Sequence, residues 1–104
     1  MSTDKIQAAV STRANVHFDG KCVSHGIELA DGTKKSVGVI LPSSLKFNTG
    51  APEVMELVEG ECRVRLAGSD AWTMYAGGQS FNVPANSSFD IEVSKTLHYV
   101  CHFC

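Results

Sequence analysis

Turn residues punctuate this chain about every ten positions, and short runs rich in β-branched and aromatic side chains fill the gaps. No stretch between two turns is long and periodic enough for a convincing helix, which narrows the choice of fold more than any other feature. Asn15-Val16-His17-Phe18 runs into Asp19-Gly20, and Cys22 to Leu29 runs into Asp31-Gly32. Ser36 to Leu41 stops at Pro42, whose nitrogen cannot donate to a ladder. A short strand is expected around Leu45 to Phe47. Val54 to Val58 follows, then a turn at Glu59-Gly60, then Glu61 to Leu66. Trp72 to Tyr75, Ser80 to Val83, Phe89 to Val93 and Leu97 to Phe103 complete the set, with turns at Ala76-Gly77-Gly78 and Pro84-Ala85-Asn86. Some nine or ten short strands of this kind predict an all-β, antiparallel sandwich or barrel. Within Glu61 to Leu66, alternation puts Cys62, Val64 and Leu66 on one face and Glu61, Arg63 and Arg65 on the other, a solvated one.

At 104 residues the chain supports one domain with a modest core. Nine Lys and Arg against eleven Asp and Glu give a net charge of -2. That balance excludes a phosphate-backbone partner of the nucleic-acid type, which needs a basic surface. No apolar run approaches the length that spans a bilayer, so no membrane partner is expected. Met1-Ser2-Thr3-Asp4-Lys5 lacks the pattern of a secretory leader, so a cytoplasmic location is expected. Of the four cysteines only Cys101 and Cys104 are spaced as Cys-x-x-Cys. One such pair is a weak zinc or redox signal, and reduced packing thiols are the expected state. Residues 1–14 lack periodicity and read as a flexible arm or a short helix from Ile6 to Val10, ahead of a domain over 15–104.

Two spaced motifs carry a resemblance. Glu53, six residues, Gly60, followed by Gly78, five residues, Pro84, is similar to the two-part signature of the cupin superfamily, which implies a jelly-roll β-barrel. Asn86 stands where cupins usually have glycine, and asparagine also tolerates the left-handed region. Metal-binding cupins carry His-x-His ahead of the glutamate and a third histidine after the turn. Here those positions are Phe47, Thr49 and Phe89. One carboxylate beside two phenylalanines cannot hold a divalent ion, so no metal and no cofactor are expected.

A narrower set of matches covers residues 16 to 103. Phe18-x-Gly20-Lys21, Ser36-Val37-Gly38-Val39, Pro52-Glu53-x-Met55, Trp72-x-x-Tyr75, Phe81-Asn82-Val83-Pro84 and Tyr99-x-Cys101 together resemble the pyrimidine/purine nucleoside phosphorylase family. The resemblance implies phosphate-dependent cleavage of varied nucleosides to free base and ribose 1-phosphate, with phosphate as co-substrate. The competing class is a non-catalytic, small-molecule-binding cupin.

Each candidate residue has two readings. Glu53 either acts on ribose and the developing sugar cation or is a structural carboxylate; its inward motif position favours the first, because an unpaired buried charge is costly. Phe47, Met55 and Phe89 are stacking surfaces for a base or core filler. Ser36 and Thr49 are donors for phosphate, although Thr49 and Gln79 could equally satisfy local backbone groups. On the last strand Leu97, Cys101 and Phe103 favour Tyr99 over His98 as the inward residue. His17, His25 and His102 show no clustering and read as surface groups. No inward basic residue is evident; Lys46 or a second subunit could supply one. A homodimer is expected, because burying an edge strand stabilises so small a barrel.

Overall fold

A computed structural model of the chain describes residues 5–103. Residues 1–4 of the arm, and Cys104 with the Cys101–Cys104 pair, lie outside the described residues. The described chain is nearly all antiparallel sheet: β1 (Ala9–Val10), β2 (Asn15–His17), β3 (Cys22–Glu28), β4 (Lys34–Ile40), β5 (Ser43–Asn48), β6 (Glu53–Leu66), β7 (Thr73–Ala76), β8 (Ser80–Val83) and β9 (Ser88–Phe103). Neighbours run β1-β3-β4-β9-β6-β7, while β2 joins β3, β5 joins β9 and β8 joins β6. This is a jelly-roll, as the sequence resemblance implies, rolled around one core.

Two long strands organise the roll. The first half of β9 pairs with β5 and with the end of β6 (Val93 opposite Cys62, Phe89 opposite Leu66). Its second half pairs with β4 and with the start of β6 (Leu97 opposite Ile40, Tyr99 opposite Leu57). Each long strand therefore serves both walls and carries core residues along its whole length. Leu57, Ile91 and Leu97 are fully buried, and Ile40, Cys62 and Val83 nearly so. A fully buried aliphatic side chain of this size contributes about 1.5–3 kcal/mol of transfer free energy.

Three sequence expectations change. Glu59-Gly60 is not a hairpin turn. The register shifts between Leu57 and Cys62, so β6 bulges there and continues. Gly60 has φ +109, and a Cβ at that position would overlap the Thr96 carbonyl oxygen of β9. Only glycine lets the bulge lie this close to its neighbour. Phe89 to Val93 and Leu97 to Phe103 are likewise one strand, which passes through exposed Ser94 and Lys95 without a turn. Ile6 to Val10 is not a helix: Ala9 and Val10 pair with Glu28 and Ile27, so the sheet begins ahead of residue 15.

The left-handed expectation at Asn86 holds, with φ 51. Cys62 and Val64 are buried as alternation predicts, but Leu66 is exposed at the strand end. Arg63 and Arg65 face outward, where they pair with Glu92 (2.6 Å) and Asp90 (3.1 Å). Trp72 lies just before β7, with both guanidinium groups over its ring at 4.5 and 4.6 Å. No helix among the described residues is long and apolar enough to cross a membrane.

Candidate active site

A cavity of about 240 Å3 opens inside the roll, and six of the seven side chains singled out from the sequence line it: Ser36, Phe47, Glu53, Met55, Phe89 and Tyr99. Strand register explains the convergence. Phe47 on β5 lies opposite Phe89 on β9, Met55 on β6 opposite Cys101 on β9, and Gly38 on β4 opposite Tyr99. Inward-pointing positions of neighbouring strands thus meet, as the two-residue period requires.

Thr49 is the exception. It is buried, but its hydroxyl donates to the Pro84 carbonyl at 2.7 Å and accepts from the Ser87 amide at 3.0 Å. Thr49 ties the β5 end to the Pro84–Ser87 turn and does not line the cavity. Gln79 does a similar local task, accepting from the Ala76 amide at 2.8 Å. Lys46 is exposed, on the outward side of β5 opposite Asp90, and is not the missing inward cation.

The aromatic wall is continuous. Phe47 stacks on Phe89 with centroids 5.4 Å apart and planes 19° apart, and Phe81 meets Phe89 edge-on at 5.7 Å. Phe89 is buried and Phe47 only half-buried, so Phe47 is the ring a ligand can reach. At the Phe47, Thr49 and Phe89 positions a stacked ring pair with an engaged hydroxyl does not fit a divalent ion. Among the described residues no three His, Cys, Asp or Glu side chains converge to hold one.

Glu53 is half-buried on β6, and burial raises its carboxyl above the ordinary glutamate range, partly offset by a hydrogen bond from Cys101. Tyr99 packs over Gly38, where a Cβ would come within 2.9 Å of its hydroxyl. Burial first, then its contact with Cys22, pushes its phenol pKa upward, so Tyr99 is a neutral phenol. The Cys22 thiol is also raised by burial, and Cys62, in the core, is pushed up to about 11. These thiols are packing groups, as their burial requires.

Sequence reasoning missed His17 and Asn15. Both line the cavity from β2, together with Ser24 from β3. His17 is exposed as expected, yet it faces the cavity mouth. His102 is only half-exposed and pairs with Glu56 at 2.8 Å on the outer face. His25 holds the Ser11 carbonyl at 2.9 Å.

A family model described as pyrimidine/purine nucleoside phosphorylase matches residues 12–103. The chain belongs to this family. A relative from Aromatoleum aromaticum named pyrimidine/purine nucleoside phosphorylase is 71% identical over 103 residues, covering 97% of this chain and 96% of the relative. A crystal structure of a protein of unknown function from Acinetobacter sp. ADP1 superposes with TM-score 0.91 at 48% identity, covering 93% of this chain and 94% of that one. A cupin superfamily protein from Desulfitobacterium hafniense shares the fold, with TM-score 0.63 at 13% identity over 88% of this chain and 82% of its own. The family assignment and the cavity thus meet on one strand, since Pro52-Glu53-x-Met55 supplies two of the cavity's inward side chains.

Proposed function

We propose that the chain is a nucleoside phosphorylase that cleaves purine and pyrimidine nucleosides with phosphate, giving free base and ribose 1-phosphate. The observation that carries the reading is the lining of the cavity inside a member of this family: one carboxyl, an accessible phenyl ring stacked on a buried one, and hydroxyl and amide donors. A phosphate oxygen attacks C1′ of the ribose as the C1′–N bond breaks. The bond electrons leave on the base, which takes one proton from solvent. Positive charge builds on the sugar ring as the bond lengthens, as in glycoside cleavage. Glu53, when ionised, faces that charge or the ribose hydroxyls and stabilises the transition state electrostatically. Phe47 supplies a face on which any base can stack, and stacking without edge contacts accounts for breadth among bases.

The reaction as written needs no metal and no organic cofactor. The donor set supports this, because phenyl rings stand where nitrogen ligands would. A cytoplasmic location fits the buried thiols. A homodimer fits the outward face of β1 to β4, where Val23, Val37 and Val39 are only half-covered and Val10 on β1 and Val16 on β2 are exposed. The test of function is loss of uridine and adenosine with and without added phosphate. Base release that requires phosphate supports the reading; a protein that binds nucleoside and releases no base is instead a small-molecule-binding cupin.

A further inference from the structure

Apart from Glu53 on β6, Tyr99 on β9 and the thiols, the polar side chains of the cavity are gathered on one wall. Asn15 and His17 come from β2, Ser24 from β3 and Ser36 from β4, with Asn15 opposite Ser24 in register and Ser36 opposite Gly26. Asn15, His17, Ser24 and Ser36 bring N–H and O–H donors and no carboxylate. A phosphate, all acceptor oxygens, is matched by such a set, whereas a base is matched by Phe47.

His17 is held there by an unusual piece of backbone. Phe18 and Asp19 both have φ 54 and Gly20 has φ 90, so three consecutive residues are left-handed. Two of them are not glycine, a strained arrangement that survives only when its surroundings enforce it. The Phe18 ring meets Phe47 edge-on at 5.2 Å and anchors the turn to the aromatic wall. The Phe18-x-Gly20-Lys21 motif thereby positions the residue before it. The His17 ring makes only a loose contact with Phe18, at 6.5 Å, and no hydrogen bond among the described residues. Its nitrogens are available, and an imidazole donates an N–H in either protonation state.

The approach to this wall is also suited to an anion. A neighbouring hollow of about 470 Å3 shares Asn15, Ser36 and Phe103 with the cavity and is lined by Lys34 and Lys35, with Glu28 opposite Lys34. Two cations against one carboxylate leave the approach net positive, which favours entry of phosphate from that side.

We infer that the wall formed by Asn15, His17, Ser24 and Ser36 is the phosphate subsite, and that His17 is its nitrogen donor. The inference rests on the phosphorylase reading above and assigns phosphate and base to different walls of the one cavity. The test is a pair of steady-state titrations, phosphate varied at saturating uridine and uridine varied at saturating phosphate, on the full chain and on His17→Ala and His17→Lys. Losing a charge-assisted contact raises the phosphate KM of His17→Ala about tenfold or more, while the uridine KM moves less than about twofold. His17→Lys recovers part of the phosphate KM, because the lysine ammonium donates N–H groups to the same oxygens. Thermal melts confirm that both variants are folded, as expected for an exposed side chain. An unchanged phosphate KM, or equal rises in both KM values, overturns the assignment while leaving the phosphorylase reading intact. No phosphate-dependent base release by the unaltered chain overturns both.

Discussion

Glu53 is caught between two demands. It is the carboxyl of the cavity, yet burial raises its pKa, which means that folding disfavours its ionised form. A raised folded-state pKa makes the group's contribution to stability complete below the unfolded glutamate value and progressively lost as pH rises through the folded one. Glu53→Gln removes that penalty, so at pH 8 the variant melts at or above the parent temperature, and the difference closes as pH falls below the ordinary glutamate range. The same substitution lowers kcat/KM for adenosine and for uridine by a similar factor, about a hundredfold or 2–4 kcal/mol, because ribose is common to both. A variant that melts lower at every pH with unchanged activity would give Glu53 a structural role. The two phenylalanines separate in the same way. Phe89→Ala loses about 3–5 kcal/mol of stability, because Phe89 is buried between Phe47 and Phe81. Phe47→Ala, on a half-buried ring, keeps the fold in a thermal melt and changes the ratio of adenosine to uridine turnover. The Glu53, Met55, Phe89 and Tyr99 positions were legible in the sequence because motif spacing and the two-residue strand period fix which side chains point inward. For Thr49 the sequence leaves phosphate donor and backbone partner both open, since the carbonyl and amide that decide between them come from Pro84 and Ser87, far along the chain. His17 was invisible for a related reason: a lone histidine on a three-residue strand acquires meaning only from what β3 and β5 bring beside it.

At the level of elements, β6 and β9 decide the architecture. Alternation identified their halves correctly, but a glycine inside a strand and a glycine in a turn look alike in sequence. The difference lies in the partner: β9 runs past Gly60 and leaves no room for a Cβ, so the chain bulges and carries on. Gly60→Ala adds a methyl against the Thr96 carbonyl in a left-handed conformation that alanine adopts reluctantly. A loss of roughly 2–4 kcal/mol is expected in urea titration, with the m-value preserved. Gly50→Ala is the control, because nothing lies within 4 Å of a Cβ there, and its midpoint should stay close to that of the parent. Equal midpoints for the two variants would mean that the bulge does not depend on glycine.

For the whole molecule, the outward face of β3, β4 and β9 bears on assembly. Val37 and the segment carrying Ile6, Ala8 and Val10 enclose a further hollow of about 350 Å3 beside Val58, His98 and Val100. The proposed homodimer, with a second copy covering this face, predicts a dimer in light scattering at micromolar concentration and a shift to monomer in Val37→Glu; a monomeric parent chain would contradict that proposal. The central claim, however, is chemical, and it is tested most directly by following uridine and adenosine with 31P NMR in the presence of inorganic phosphate. The account predicts that inorganic phosphate is consumed and ribose 1-phosphate appears in equal amount to the free base, for both nucleosides and from the same protein. Free base formed without ribose 1-phosphate, or no base formed from either nucleoside, would contradict it.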